Sequence, residues 1–253
     1  MEIFSNEMGS GEPLVVMHGL FGISDNWVSL GRKYAENFRV LLLDLPNHGR
    51  SAHFDSLDYP FFAAKVIHFL ESKELSNVRL MGHSLGGKVA MQVACMRPDL
   101  VQKLVVADIA PKAYPVHHQT ILTALNEVDT SQLQSRSDAD AVLMKYRLDE
   151  ATRQFLLKNL YWKSESRLDW RFNLEAISKH IVEVGAALDP TLRFEKDTLF
   201  IRGGASGYIQ DEDFSDIRKH FPLAQLKTIE GAGHWLHAQS PAAYYDMTME
   251  FLV

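Results

Sequence analysis

Apolar positions along the chain fall into two alternating patterns. Short runs of strand length begin at Pro13 (PLVVMHG), Phe38 (FRVLLLDLP), Val78 (VRLM) and Lys103 (KLVVADIA). Nearly continuous apolar runs of this kind predict parallel strands covered on both faces of a sheet. Between them, apolar residues recur at helical spacing: Trp27, Leu30 and Tyr34; a segment from about Tyr59 to Ser72 with Pro60 in its first turn; and Val89, Ala90, Val93 and Ala94. Strands alternating with helices predict parallel βαβ units. From about Pro111 to Thr191 the alternation stops, and the pattern predicts amphipathic helices without a strand. Ser137 with Asp140 reads as a capping box opening DADAVLMKYRL. The alternation resumes with DTLFIRGG, a helix from about Asp211 to His220, the strand QLKTIE, and a last helix announced by Ser240 and Pro241. The expected architecture is an α/β core, residues 1–110 and 192–253, interrupted by a helical cap at 111–191. Its central sheet is mostly parallel and flanked by helices.

Composition narrows the class. With 253 residues, 46% of them hydrophobic, the chain can bury a sizeable core. A net charge of −6 without a Lys/Arg run argues against a nucleic-acid partner. The single cysteine, Cys95, excludes an internal disulfide, fits a reducing compartment and reads as a core thiol within an apolar helix. The N-terminal MEIFSNEMGSGEP has no signal-peptide pattern. No apolar run approaches the roughly 20 residues of a membrane helix. A soluble, cytoplasmic protein without a membrane partner is expected.

One stretch carries candidate chemistry. In NVRLMGHSLGGKVAMQVA, Ser84 sits between Gly82 and Gly86 where a strand turns into a helix. Such a turn pushes the hydroxyl out beyond the sheet and aims helix N-terminal amides at any oxyanion formed there. A serine needs a base. His234, in EGAGHWLHA after the last strand, lies at the same carboxyl edge of a parallel sheet; His237 is the fallback, and His83 reads as structural. No metal constellation or nucleotide fingerprint is present, since His117 and His118 are adjacent and lack ligand spacing, so no cofactor is expected.

HGLFG at 18–22, DLPNHGRS at 44–51, GHSLGGK at 82–88 and GHW at 233–235 resemble the α/β-hydrolase superfamily. Together with DIAP at 108–111 and WRFNL at 170–174, they closely resemble the YbfF-type bacterial esterases. The resemblance implies an α/β-hydrolase fold with Ser84 as nucleophile and His234 as general base and then acid. The reaction it implies is hydrolysis of a small-molecule acyl ester, with acyl thioesters as a further substrate class.

Many members of the superfamily carry the acid just after the strand that here reads TLFIRGG, but Ser206 occupies that place, and Asp211, Glu212 and Asp213 begin the next helix. Asp108, closing the strand after the nucleophile strand, is the better candidate, with Ser206 as polar support. Two other readings stay open: Asp108 as a turn residue, and a Ser84–His234 dyad sharing polar support from Asp108 and Ser206. Oxyanion donors are expected at the backbone amides of Leu85 and Leu20, with Phe21 close behind. Asp44, Asn47 and His48 read as fixing a loop that bends at Gly49. Cap aromatics such as Tyr114, Phe155, Tyr161, Trp162, Trp170 and Phe172, with Leu156, supply core contacts and some pocket lining. Carbon–carbon bond hydrolysis or cofactor-free perhydrolysis on the same fold, and a non-catalytic ligand-binding protein, are the competing functions.

Overall fold

The structure is a computed structural model describing residues 2–116, 118–165 and 167–253. The chain opens with β1 (Ser5–Met8) and β2 (Pro13–Met17), then passes a 3-10 turn (Ser24–Trp27) into α1 (Val28–Tyr34) and β3 (Arg39–Leu43). There follow α2 (Tyr59–Ser72), β4 (Val78–His83), α3 (Leu85–Met96) and β5 (Val101–Ala107). Next come α4 (Gln119–Glu127), α5 (Arg136–Met144), α6 (Glu150–Leu157), β6 (Leu160–Ser164), β7 (Arg167–Trp170) and α7 (Leu174–Val184). The last part holds β8 (Thr198–Gly203), α8 (Asp213–His220), β9 (Ala224–Ile229), α9 (Leu236–Gln239) and α10 (Pro241–Leu252).

Among the described residues, seven strands form one sheet in the order β1-β3-β2-β4-β5-β8-β9. Only β1 runs antiparallel to its neighbour. The two-residue period of a strand sends alternate side chains to opposite faces. Leu14, Val16, Met81, Val105, Leu199 and Ile201 therefore pack on one face against Leu30 and Tyr34 of α1 and Tyr244 and Leu252 of α10. Val15, Leu80, Leu104, Val106 and Phe200 pack on the other against Phe62 and Val66 of α2, Val89 and Val93 of α3, and Ile217 of α8. Both faces are thus closed, which is why the strands read as unbroken apolar runs. Leu122, Leu143, Leu156, Leu160, Trp170, Phe172 and Ile177, from the segment between β5 and β8, join this second cluster.

Two expectations need correction, and one strand was not anticipated. The segment 111–191 is not strand-free: β6 and β7 form an antiparallel hairpin, with Leu160 opposite Trp170. Only Leu160, Leu168 and Trp170 of that hairpin are buried, so its polar partners masked the period. The edge strand β1, SNEM, is too polar to stand out, yet pairs with β3 from Ser5↔Leu43 to Met8↔Val40. Helix α5 starts two residues before the expected box. Ser135 is its N-cap, and Asp138 accepts from the Ser135 amide at 2.8 Å. Asp140 is committed elsewhere, accepting from Arg153 Nε at 2.7 Å. Cys95 is half-buried, and burial pushes its thiol up to about 12. Among the described residues no helix is long and apolar enough to cross a membrane.

Close approach of β2 to α3 leaves no room for a side chain at Gly86. A Cβ there would stand 2.5 Å from both the His18 and Met17 carbonyl oxygens. Because backbone atoms cannot swing aside, Gly86→Ala is expected to destabilise by about 3 kcal/mol. The check is a fall in the urea midpoint at unchanged slope.

Candidate active site

Ser84 follows β4 directly and caps α3, with φ 52 and ψ −117. That region is strained for a residue bearing a Cβ, and costs about 1–3 kcal/mol. The turn is held from both sides: the Ser84 amide donates to the Ala107 carbonyl at 3.0 Å, and the Gly86 amide donates to the His18 carbonyl at 3.1 Å. Tightness is the reason for the flanking glycines, since a Cβ on Gly82 would lie 2.1 Å from the Gly86 oxygen.

His234 stands in the loop between β9 and α9 and faces Ser84. Its Nδ1 is 2.8 Å from Asp108 Oδ2 and its Nε2 is 3.0 Å from Ser84 Oγ. A carboxylate only accepts, so Nδ1 carries the proton that donates to Asp108. In the neutral ring Nε2 is then the acceptor for the Ser84 hydroxyl.

Asp108 is fully buried at the end of β5, also at positive φ (51). Its Oδ1 accepts from the Gly203 amide at 3.0 Å, and its Oδ2 accepts from His234 and from Ser206 Oγ. Ser206 in turn accepts from the Tyr208 amide at 3.3 Å and does not touch His234 within hydrogen-bond reach. Asp211 pairs instead with Arg202, and Asp213 with Lys112.

The other histidines have separate duties. His83 Nε2 donates to the His234 carbonyl at 2.8 Å, fixing that loop. His237 stacks on Trp27, with centroids 4.2 Å apart and planes at 6°, so it does not serve Ser84. His18 donates from Nδ1 to the Gly19 carbonyl and accepts at Nε2 from the Leu45 amide. Burial holds His83 well below the usual histidine range, His18 at about 4, and His48 and His237 at about 3.

The His18–Gly22 loop is pinned beside Ser84. The Gly22 amide donates to the Gly19 carbonyl, Phe21 takes φ 59, and Asn159 Nδ2 donates to the Phe21 carbonyl at 2.8 Å. Asp44 accepts from the Ser24 and Arg50 amides, and Asn47 from that of Phe54, so these residues do fix a loop.

Among the described residues two clefts meet at Ser84. One, of ≈ 620 Å³ with its open mouth, is lined by His234, Trp235, Phe155, Leu156, Trp27 and Thr152 among others. The second, ≈ 420 Å³, is lined by Leu85, Ile109, Tyr59, Tyr114, Ile181 and Gly185 among others. Leu20, Ser84, His118 and Tyr208 line both. Of the side chains of 111–191 expected near the pocket, Tyr114, Phe155 and Leu156 reach it. Trp170 and Phe172 are core, stacked on each other at 5.1 Å, and Trp162 is exposed. Tyr208 was invisible to sequence reasoning, yet its ring stacks on His234 at 3.9 Å and 15°. Only a contact through space could reveal it. Among the described residues no group of three or more His, Cys, Asp or Glu could hold a metal ion; His117 lies outside them.

A family model described as alpha/beta hydrolase fold matches residues 12–241. The chain is 34% identical over 247 residues to esterase YbfF of Escherichia coli (strain K12), covering 96% of this chain and 94% of that protein. It is 35% identical over 252 residues to the sn-1-specific diacylglycerol lipase ABHD11 of Danio rerio, covering 96% and 79%. A solved structure described as a marine microorganism esterase aligns with a TM-score of 0.95 at 40% identity, covering 99% of each chain. The chain belongs to the α/β-hydrolase family. Within it, the chain is similar to bacterial esterases of the YbfF type.

The buried histidines make stability fall in acid. Their folded pKa values lie below the unfolded value of 6.5, so the unfolded chain takes up protons first. The contribution is complete above pH 6.5 and is lost as pH falls toward the folded values of about 4 and 3. For His18 alone the loss approaches about 3 kcal/mol. Urea unfolding between about pH 6.5 and pH 4 is expected to show a slope above ~1.4 kcal/mol per pH unit, more than one proton's worth.

Proposed function

We propose that the protein is a serine esterase that hydrolyses carboxylic esters through an acyl-enzyme. The observation that carries this reading is the unbroken chain of hydrogen bonds from Ser84 Oγ through His234 to the buried Asp108. In acylation, Ser84 Oγ bonds to the acyl carbon while its proton passes to His234 Nε2. That proton then goes to the leaving alcohol as the carbon–oxygen bond breaks. Water repeats the sequence in reverse, and the free acid and Ser84 are restored. Asp108 holds the imidazole in the required tautomer and stabilises the imidazolium. Ser206 supports the carboxylate, since its Oγ donates to Asp108. The amides of Leu20 and Leu85 are assigned to the oxyanion, each worth roughly 3 kcal/mol in the transition state.

With Asp108 as the acid, the serine after TLFIRGG leaves no gap in the hydrogen-bonded chain and gives no reason to favour a non-catalytic binding protein. Residues 111–191 act in this reading as a cap on the core of 1–110 and 192–253, since Tyr114, Phe155 and Leu156 line the clefts. Esterase and lipase names among the relatives support the same chemistry. Acyl thioesters offer the same carbonyl to the same groups and form the second substrate class.

Aryl esters from acetyl to palmitoyl length test the reading. Ser84→Ala is expected to abolish turnover, and Asp108→Asn to lower kcat by up to about 10⁴-fold with the fold intact. Ser206→Ala removes one bond to a charged group and is expected to cost about tenfold. Near-normal activity of Asp108→Asn beside loss in Ser206→Ala would overturn the assignment of the acid.

A further inference from the structure

The GHSLGGK motif ends in Lys88, which the catalytic chemistry does not use. It lies one turn into α3, and its amide donates to the Ser84 carbonyl at 3.1 Å. The side chain is 1% exposed, an unusual place for a lysine. Burial alone pulls its amine down to about 7, and no carboxylate of the described residues pairs with it. Instead Nζ donates to two carbonyls, that of Lys112 at 2.7 Å and that of Ala186. These belong to the two stretches by which the 111–191 segment leaves β5 and returns toward β8. The ammonium also lies over the rings of Tyr59 at 5.4 Å and Tyr114 at 4.9 Å, where ring quadrupoles attract a desolvated cation.

The two stretches are tied to each other at the same place. The Tyr114 amide donates to the Gly185 carbonyl at 2.8 Å and the Leu188 amide to the Pro111 carbonyl at 2.8 Å. The Tyr59 hydroxyl donates to the Val184 carbonyl at 2.6 Å. Tyr59, Tyr114, Val184 and Gly185 are one wall of the second cleft. A buried ammonium without a counter-ion is costly unless its donors are satisfied. Here its donors go to the carbonyls of Lys112 and Ala186, which lie two residues before Tyr114 and directly after Gly185 of this wall.

Chemistry assigns that cleft to one half of the substrate. The leaving oxygen must come within hydrogen-bond reach of His234 Nε2 to be protonated. His234 lines the first cleft and not the second. In the serine-esterase reading the alcohol side thus falls to the first cleft and the acyl chain to the second.

Resting on the serine-esterase reading, we propose that Lys88 is a positioning residue that sets acyl-chain preference by holding the Tyr59–Tyr114–Gly185 wall of the acyl cleft. An acetyl group offers only a single methyl to pack against the wall. A longer chain packs on it, and in a loosened protein must order it on binding.

The test compares acetyl and octanoyl esters of one phenol in wild type and Lys88→Met, which keeps the length and removes the donors. The octanoyl-to-acetyl ratio of kcat/KM is expected to fall about tenfold, the scale of one lost hydrogen bond to a charged group, and the loss to appear in KM. Tyr59→Phe, which removes only the bond to Val184, lowers the same ratio and carries the test where Lys88→Met does not fold. Hydrogen exchange at the Tyr114 and Leu188 amides is expected to speed up in Lys88→Met. An unchanged ratio in both variants, with turnover still dependent on Ser84, overturns the role of Lys88 and leaves the esterase reading standing. A uniform drop in kcat at both chain lengths also overturns it, because Lys88 then acts on the nucleophile. Absence of Ser84-dependent turnover in the wild type overturns the esterase reading and the acyl assignment with it.

Discussion

Parallel pairing of β2, β4, β5, β8 and β9 is the constraint on which the site depends. When strands run the same way, every turn that leaves a strand's carboxyl end falls on one edge of the sheet. Ser84 follows β4, Asp108 follows β5, Ser206 follows β8, His234 follows β9, and the His18–Gly22 loop follows β2. Residues scattered over most of the sequence are thereby delivered to one place without any long-range recognition between them. The pairing also sets a tolerance. A one-residue slip between β4 and β5, now registered at His83↔Ala107, would remove the bond from the Ser84 amide to the Ala107 carbonyl that holds the strained turn.

Within that frame Asp108 illustrates how a carboxylate can reach a histidine from a different strand. A buried carboxylate needs its lone pairs occupied by donors. Asp108 receives the Gly203 amide, the Ser206 hydroxyl and His234. The loop after β8, where a serine stands, thus contributes donors to a carboxylate that comes from β5. Both strands converge on the same oxygen atoms, so the charge sits beside the histidine although the sequence position differs. The Tyr208 ring, from the same loop, closes the exposed face of the imidazole.

Much of this was legible before the structure, for identifiable reasons. Apolar runs such as VLLL and LVVA, of strand length and alternating with helical segments, read as strands closed on both faces, and α2 matched its expected span from Tyr59 to Ser72. Ser84, His234 and Asp108, which the structure brings within hydrogen-bond reach in turn, could be singled out because position after a strand is a one-dimensional property. What failed depended on the third dimension. The hairpin β6–β7 hides its period because only one side of it meets the core. The start of α5 turned on which of two serine–aspartate pairs was free, and Arg153 had claimed Asp140. Tyr208 carries no local signal, and Lys88, although it ends the GHSLGGK motif, gives no hint there of the Lys112 and Ala186 carbonyls it meets, since those partners are distant in sequence.

The pairing of β5 with β8 has a kinetic meaning as well. These strands meet only after the whole 111–191 segment has been looped out, and the entropy of closing a loop must be met before the contact rewards it. Helices in that segment can form locally and early, whereas the bonds from Gly203 and Ser206 to Asp108 must wait for β8 to dock. Without β8 and β9 the Ser84 turn would keep its backbone partners at His18 and Ala107 but would have neither His234 beside it nor the donors from the β8 loop to Asp108. The arrangement around Ser84 is therefore complete only when the last two strands are paired, whatever the order in which the other elements form.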